Sequence, residues 1–205
     1  MSKTIKFWDK MALRSEKEKS EEKENKTIDR TLKHLQPEFK VLDFGCGVGG
    51  NTCDVAMNVN YVDAFDYSPE SIAVSKRKAN KRDINNINFV VGDLYDDNYQ
   101  AEQYDVVLAY NILHLIDDQE VALEHISKLL KPNGLLISAT GCLGEKKGIF
   151  RLFLGLLSKI GIVPPMQSFS IAQLENMITS ASFKIIETEI LDHALTDYFL
   201  VAQKQ

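Results

Sequence analysis

The sequence predicts an α/β fold in a single domain. Three observations support this: apolar runs of strand length alternate with segments that carry apolar residues at helical spacing, the first strand runs into a glycine-rich turn, and the last two strands are separated only by a short turn. A chain of 205 residues can bury a sizeable core in one domain.

The composition indicates which partners, cellular location and cysteine chemistry to expect. A net charge of −5 gives no reason to expect a nucleic-acid partner. The first residues lack the apolar run of a signal peptide. Cys46, Cys53 and Cys142 have neither metal-ligand spacing nor the even number typical of a disulfide framework. We therefore expect a cytoplasmic protein with reduced thiols and no metal site.

The amino-terminal part predicts a cap on the domain. Residues 1–26 contain a short amphipathic segment with Phe7, Trp8 and Met11, and a run of mixed charge follows it. These apolar side chains either roof a ligand site or simply pack on the core. We assign residues 1–26 to a helical cap segment and residues 27–205 to one domain.

The stretch from Phe39 to Thr52 carries the strongest chemical signal, because a buried strand stops there at a glycine-rich turn that opens a helix. Such a turn lets a ligand approach bare backbone and the free N–H groups of a helix N-terminus. Gly45, Gly47 and Gly50 fit the G-x-G-x-x-G pattern of dinucleotide binders. Asp43 indicates a different class of ligand, because a negative charge two residues before the first glycine favours a cationic ligand over a pyrophosphate.

Two further acids follow the next two predicted strands. Asp66 comes directly after the strand Tyr61–Phe65 and twenty-one residues after Gly45, the spacing at which doubly wound sheets place an acid that binds ribose hydroxyls. Asp93 follows the strand Ile87–Val91. It is either part of the same site or a plain turn residue. The carboxyl ends of parallel strands line one crevice, so we expect these acids to lie close together.

The remaining elements follow in order, each with a local signal. They are a helix with its N-cap at Ser68, a strand at Tyr104–Leu108, a helix at Glu120–Leu130, a turn at Lys131–Gly134, a strand at Leu135–Ala139, a helix opened by the capping box Ser170–Gln173, and strands at Phe183–Ile190 and Ala194–Ala202 joined near Asp192 and His193.

The segment from Ile149 to Val163 is strongly apolar. It is shorter than the ~20 residues that a membrane-spanning helix needs. Three interpretations remain: a lid over a substrate pocket, an interfacial helix in peripheral contact with a membrane, or a dimer contact. We favour the lid, within an insertion at about residues 141–169. The oligomeric state, monomer or homodimer, stays open.

The pattern acid–x–Gly–x–Gly–x–Gly, formed here by Asp43, Gly45, Gly47 and Gly49, resembles motif I of the class I methyltransferases that use S-adenosylmethionine. From about Lys26 onward the chain is similar to small-molecule methyltransferases of the ubiquinone- and menaquinone-biosynthesis-like type. The resemblance implies a doubly wound, mostly parallel seven-stranded sheet with a C-terminal antiparallel hairpin and helices on both faces.

The resemblance also implies a cofactor, S-adenosylmethionine, and its product, S-adenosylhomocysteine. The residues that it assigns to the cofactor are Asp43, Gly45, Cys46, Gly47, Asp66, Tyr67, Asp93, Leu94 and Asn111. His114 and Tyr110 are the candidates for a catalytic base, with His193 as a third. The acceptor is a small molecule, and an apolar lid suggests an apolar one. The Asn/Asp-Pro-Pro-aromatic signature of base methylation is absent.

Two other functions compete with methyl transfer. An NAD(P)-dependent oxidoreductase would explain Gly45, Gly47, Gly50 and Asp66 but not Asp43, Asp93 or a terminal hairpin. A cofactor-binding protein without catalytic activity would use residues 149–163 as an interface with a partner.

Overall fold

The computed structural model describes residues 3–17, 25–95, 99–146, 148, 155–158, 163–194 and 196–205. Within these residues one seven-stranded sheet has the strand order β3-β2-β1-β4-β5-β7-β6. The strands are β1 Lys40–Phe44, β2 Tyr61–Asp66, β3 Ile87–Val91, β4 Tyr104–Tyr110, β5 Leu130–Gly141, β6 Phe183–Asp192 and β7 Asp197–Lys204.

The helices begin where the capping residues predict. They are α1 Lys3–Lys17, α2 Lys26–Thr31, α3 Gly50–Ala56, α4 Pro69–Lys81, α5 Gln119–Leu129 and α6 Ile171–Ser180. The Ser68 hydroxyl accepts the Ser71 N–H at the start of α4. Ser170 and Gln173 form the predicted capping box of α6. Side-chain acceptors at these positions satisfy N–H groups that the helix itself leaves free.

The strand directions confirm the predicted fold class. Strands β1 to β5 pair in parallel, and β7 runs antiparallel to both β5 and β6. A dinucleotide-binding dehydrogenase built from two mononucleotide-binding halves has the order 3-2-1-4-5-6, with no reversed strand between its fifth and sixth. The terminal antiparallel hairpin therefore distinguishes this sheet from the sheet of such an oxidoreductase.

Buried apolar side chains cover both faces of the sheet. On one face Leu123 of α5 and Leu174 of α6 pack against β4, β5 and β7. On the other face Ile28 of α2, Val55 of α3 and Ile72 of α4 pack against the same sheet. Both faces are thus removed from water, which explains why the central strands are almost continuously apolar.

Two predicted boundaries are wrong. The turn predicted at Lys131–Gly134 is the irregular start of β5, where the pairing with β4 shifts and Asn133 has a φ of +63°. Ala194 was expected to start β7, but its N–H donates to Asp192 Oδ1 at 2.6 Å, and β7 begins at Asp197. In both cases a turn-forming side chain competes locally with strand pairing.

The N-terminal cap segment contains α1, which packs on α4. The Arg77 guanidinium bonds both carboxylate oxygens of Glu16, at 2.7 and 2.9 Å. Most of the predicted lid, residues 149–163, lies outside the described residues, so the lid and the proposed domain bounds stay predictions. None of the described helices combines the length and the apolar character needed to cross a membrane.

Candidate functional site

The site forms at the carboxyl end of β1, where the chain turns sharply three times. Gly45, Gly47 and Gly49 have φ values of +69°, +53° and +69°, a left-handed conformation that residues with a side chain rarely adopt. The N–H groups of Gly45 and Cys46 both donate to the Phe65 carbonyl at 3.0 Å. The turn is therefore tied to the adjacent strand β2.

The glycines serve different steric purposes. A Cβ atom at Gly45 would lie 2.8 Å from Ile112 Cδ1, so a glycine is needed there for packing within the protein. A Cβ at Gly47 would meet no atom within 4 Å. The backbone at Gly47 therefore faces open space, which a ligand can occupy.

Asp43 lies at the base of this turn. Its side chain is only 2% exposed, and its Oδ2 accepts a hydrogen bond from the Thr52 hydroxyl at 2.6 Å. Burial raises the pKa of Asp43 to about 6, and the negative charge of Asp66 acts in the same direction. No basic side chain among the described residues pairs with Asp43. A cationic ligand group would supply the missing partner.

Asp66 ends β2 beside the same turn. Its Oδ2 accepts the Gly47 N–H at 3.0 Å and its Oδ1 accepts the Ser68 N–H at 2.8 Å. Burial raises the pKa of Asp66, and these two hydrogen bonds oppose that shift. Asp66 thus joins the glycine turn to the start of α4 and holds a carboxylate next to Gly47.

Helix α1 lies over the end of β2. Asp9 Oδ1 accepts hydrogen bonds from the Ser68 hydroxyl at 2.6 Å and from the Glu70 N–H at 3.4 Å. Trp8 shares a hydrogen bond with the Tyr67 side chain, and burial raises the pKa of Tyr67. One residue of the predicted roof therefore touches a predicted cofactor residue. The roof itself stays a prediction.

One cavity of about 290 Å³ gathers many of the predicted residues. It is lined by Asp43, Gly45, Cys46, Gly47, Val48, Gly50, Asn51, Tyr110 and Asn111. Asn111 has a φ of +52°, and its N–H donates to the Ala139 carbonyl at 2.7 Å. Burial raises the pKa of the Cys46 thiol well above its usual range, so the thiol is neutral. The cavity combines bare backbone, one buried acid and uncharged walls.

Asp93 and Leu94 do not line this cavity. Asp93 is exposed, and its Oδ1 accepts the Tyr95 N–H at 2.8 Å, as a turn residue would. Leu94 is 1% exposed and packs within the core. Their assignment to the cofactor stays a prediction.

Two of the three candidate bases, Tyr110 and His114, occupy different environments. The Tyr110 hydroxyl lies in the cavity wall and is hydrogen-bonded to the Thr31 hydroxyl; burial raises the Tyr110 pKa, so the phenol keeps its proton. His114 does not line the cavity, and its Nδ1 is buried without a hydrogen-bond partner. Burial lowers the pKa of His114, so its ring is neutral at physiological pH. Both base assignments stay predictions.

Four residues contribute to the site without having been predicted. Thr52 bonds Asp43, Val48 and Asn51 line the cavity, and Asp9 holds α1 on the start of α4. Thr52 and Asn51 stand in the first turn of the helix after the glycines, which is a weak signal. Nothing local in the sequence marks Asp9. Among the described residues no group of three or more His, Cys, Asp or Glu side chains is placed to hold a metal ion.

Comparisons with known sequences give a consistent result. A family model described as a methyltransferase domain matches residues 35–194. The chain is 33% identical over 118 residues to the highly reducing polyketide synthase NEC1 of Pyricularia oryzae, covering 52% of this chain and 4% of that protein. It is 30% identical over 105 residues to the malonyl-[acyl-carrier protein] O-methyltransferase of Halalkalibacterium halodurans, covering 49% of this chain and 38% of that protein. The chain thus spans well under two thirds of the length of these relatives.

Solved structures share the fold at low sequence identity. A putative methyltransferase from Haloferax volcanii, solved with the activator Trm112, has a TM-score of 0.77 at 17% identity and covers 96% of both chains. The geranyl diphosphate C-methyltransferase of Streptomyces coelicolor has a TM-score of 0.72 at 13% identity, with 88% of this chain and 79% of that chain covered.

Proposed function

This chain belongs to the family of methyltransferase domains, and we propose that it transfers the methyl group of S-adenosylmethionine to a small acceptor molecule. The observation that carries the proposal is the buried carboxylate of Asp43, which has no cationic partner in the described part of the chain and lines a cavity with open space at the Gly47 backbone. A ligand with an ammonium group satisfies such a carboxylate, whereas the pyrophosphate of a dinucleotide would be repelled by it.

The residues around the cavity fit the methionine end of this cofactor. Asp43 would neutralise the ammonium, and the turn at Gly45 and Gly47 would hold the carboxylate end. Asp66 would accept hydrogen bonds from ribose hydroxyls, since each of its oxygens has one protein donor and keeps a free lone pair. Asn111, another lining residue of the cavity, would complete the site.

The proposed reaction requires the protein mainly to position the two reactants. When bound, the cofactor supplies a methyl group on a sulfonium, which an acceptor O, N, C or S atom attacks in line. Asp43 and the glycine turn would fix one reactant, while α1 and the cavity wall at Tyr110 would keep water away from it. Holding two reactants in line in a water-poor site accounts for much of the acceleration of such reactions.

Calorimetric titration of the purified chain tests the proposal. We expect S-adenosylhomocysteine to bind with a micromolar Kd and NADH not to bind. At 100 times its Kd the ligand would stabilise the fold by about 2.7 kcal/mol. That stabilisation corresponds to a rise in Tm of roughly 5–10 °C for a domain of this size. Binding of NADH alone would overturn the proposal in favour of an oxidoreductase.

Variants connect the binding to the residues. Asp43→Asn and Asp66→Ala should each weaken S-adenosylhomocysteine binding by roughly 1–3 kcal/mol, because each removes a partner of a polar or charged ligand group. Asp83→Asn removes the same charge at an exposed site, where Asn also tolerates the φ of +54°. It should bind normally. Cofactor binding without methyl transfer to any acceptor would favour the non-catalytic alternative.

A further inference from the structure

Asn51 stands in the first turn of α3 and lines the cavity of about 290 Å³ beside the glycine turn. Its side chain is half-buried, and its Oδ1 accepts a hydrogen bond from Asn25 Nδ2 at 2.8 Å. Its Nδ2 has no acceptor among the described residues and is accessible to solvent. Asn51 therefore keeps two N–H donors free beside the cavity.

The neighbouring segment determines which end of the Asn51 amide is free. Asn25 is the N-cap of α2, and its Oδ1 accepts the Ile28 N–H at 3.4 Å. A backbone N–H can only donate, so this end of the Asn25 amide is its oxygen and the other end is its Nδ2. The atom of Asn51 that meets this donor is then its own oxygen. The two hydrogen bonds together assign both amides and turn the donor end of Asn51 away from α2.

The glycine turn itself has few donors left for an anionic group. Four of its N–H groups already donate within the protein: those of Gly45 and Cys46 to the Phe65 carbonyl, that of Gly47 to Asp66, and that of Gly49 to the Cys46 carbonyl. No lysine, arginine or histidine is among the described residues that line the cavity. A ligand carboxylate in this cavity would therefore gain from a side-chain donor.

Asp43 and Asn51 present opposite chemistry to one cavity. They are close together, because Thr52, the residue after Asn51, donates to Asp43. The buried carboxylate of Asp43 favours an ammonium group, and Asn51 Nδ2 favours an acceptor, above all a charged one. An α-amino acid carries an ammonium and a carboxylate on one carbon atom. The pair is thus complementary to a zwitterion rather than to a simple cation.

We propose that Asn51 Nδ2 binds the α-carboxylate of S-adenosylmethionine, and that Asn25 is a positioning residue that holds the Asn51 amide in the donating orientation. Asn51 contacts the ligand, whereas Asn25 acts through Asn51. Helix α2 thereby takes part in cofactor binding although none of its described residues lines the cavity. This inference rests on the proposed methyltransferase function and adds to it the group that recognises the carboxylate.

Calorimetry with two ligands tests the role of Asn51: S-adenosylhomocysteine, and S-(5′-adenosyl)-3-thiopropylamine, which lacks only the carboxylate. Asn51→Ala should weaken S-adenosylhomocysteine binding about tenfold and leave the affinity for the amine unchanged, because only the first ligand loses a hydrogen bond to a charged group. Asn51→Asp should weaken S-adenosylhomocysteine binding further and should not weaken the amine, since two carboxylates repel each other. Asp43→Asn should weaken both ligands, because both keep the ammonium.

Two variants of Asn25 test the positioning. Asn25→Asp keeps an acceptor for the Ile28 N–H but presents a second acceptor to Asn51, so the Asn51 amide should turn its Nδ2 towards α2 and away from the ligand. We expect it to weaken S-adenosylhomocysteine binding about fivefold without lowering the Tm. Asn25→Ser, an uncharged cap, should weaken binding less. Neither variant should weaken binding of the amine.

Asn80→Ala is the control, because it removes an exposed amide from α4 and should leave both affinities unchanged. If Asn51→Ala weakens both ligands equally, or neither, the role of Asn51 is overturned, while binding of S-adenosylhomocysteine by the wild type still supports the proposed function. If Asn25→Asp binds S-adenosylhomocysteine as tightly as the wild type, the positioning by Asn25 is overturned. If the wild type does not bind S-adenosylhomocysteine, the proposed function has failed and this inference with it.

Discussion

At the scale of single residues, Asp43 lowers the stability of the unliganded fold but favours the binding of a cationic ligand. Its carboxyl is buried, and the one hydrogen-bond donor that it has among the described residues is a neutral hydroxyl, that of Thr52. Burial therefore raises the pKa of Asp43 to about 6 in the folded protein, so the carboxyl is ionised at neutral pH at a cost in stability. A carboxylate at this position costs stability until a cationic ligand arrives. The site is thus arranged for a ligand rather than for the unliganded fold.

The first prediction follows from that pKa. The folded pKa of about 6 lies above the unfolded value, so the contribution of Asp43 is fully present below about pH 4 and is lost as the pH rises through 6. Asp43→Asn should be more stable than the unliganded wild type at pH 7.5, by roughly 2–3 kcal/mol, and similar to it at pH 4. Urea denaturation at the two pH values measures this. An equal difference at both would contradict it.

The second prediction separates two glycines of the turn. Gly45→Ala should destabilise the unliganded fold by roughly 1–3 kcal/mol, because its Cβ would overlap Ile112 and its φ is +69°. Gly50→Ala is the control: it starts α3, and its Cβ would meet nothing within 4 Å. The control should leave stability unchanged or raise it by up to about 1 kcal/mol. Thermal unfolding distinguishes them, and equal losses would refute the steric argument.

At the scale of elements, helix α1 depends on a few polar contacts with the start of α4. Asp9 bonds Ser68 and Glu70, and Glu16 pairs with Arg77 further along α4. Exposed pairs such as the latter contribute little on their own. Among the polar contacts, Asp9 therefore contributes most to the attachment of α1, beside the hydrogen bond between Trp8 and Tyr67 and the buried side chain of Ala12.

The third prediction tests this attachment. Asp9→Ala should increase amide hydrogen exchange in α1 and lower stability by roughly 0.5–2 kcal/mol, because the Ser68 hydroxyl and the Glu70 N–H lose their acceptor. Asp9→Asn, which keeps an acceptor oxygen, is the matched control. If α1 roofs the cofactor, Asp9→Ala also weakens S-adenosylhomocysteine binding. Unchanged exchange in α1 would rule out the attachment.

At the scale of the whole molecule, the residues of the candidate site and a stabilising polar network around Asp63 lie at opposite ends of the strands. Away from the site, the Tyr104 hydroxyl donates to Asp63 Oδ2 at 2.9 Å, and Lys40 Nζ lies 3.1 Å from the same oxygen. Asn88 donates to Asp63 Oδ1 at 2.9 Å. This network links β1, β2, β3 and β4. No residue in it lines the cavity of about 290 Å³ beside the glycine turn.

The fourth prediction concerns this separation. Tyr104→Phe should lower the free energy of unfolding by roughly 1–3 kcal/mol, because the buried Asp63 oxygen loses a donor. The affinity for S-adenosylhomocysteine should stay the same. Tyr61→Phe is the control, because its ring is near Lys40 and its hydroxyl is not part of the network. Chemical denaturation measures the free energy of unfolding, and calorimetry measures the affinity for S-adenosylhomocysteine. A loss of affinity that accompanies the loss of stability would show that the two ends of the strands are energetically coupled.

The sequence by itself determined the elements, the fold class and the family. Strand and helix periods, the caps at Ser68 and Ser170, and the glycine turn at Gly45 are local patterns that short-range sterics and hydrogen bonding dictate. It also identified the part of the site that is contiguous in the chain, from Asp43 to Gly47.

Only the tertiary structure decided which distant residues meet. Asp9 reaches Ser68, Asn25 reaches Asn51, and Asp197 comes to stand opposite Gly141. These contacts depend on how helices settle on a twisted sheet and on which strands become neighbours, and no local pattern encodes either. The same packing buries Leu94 in the core, because apolar area is removed from water there, and leaves Asp93 in an exposed turn.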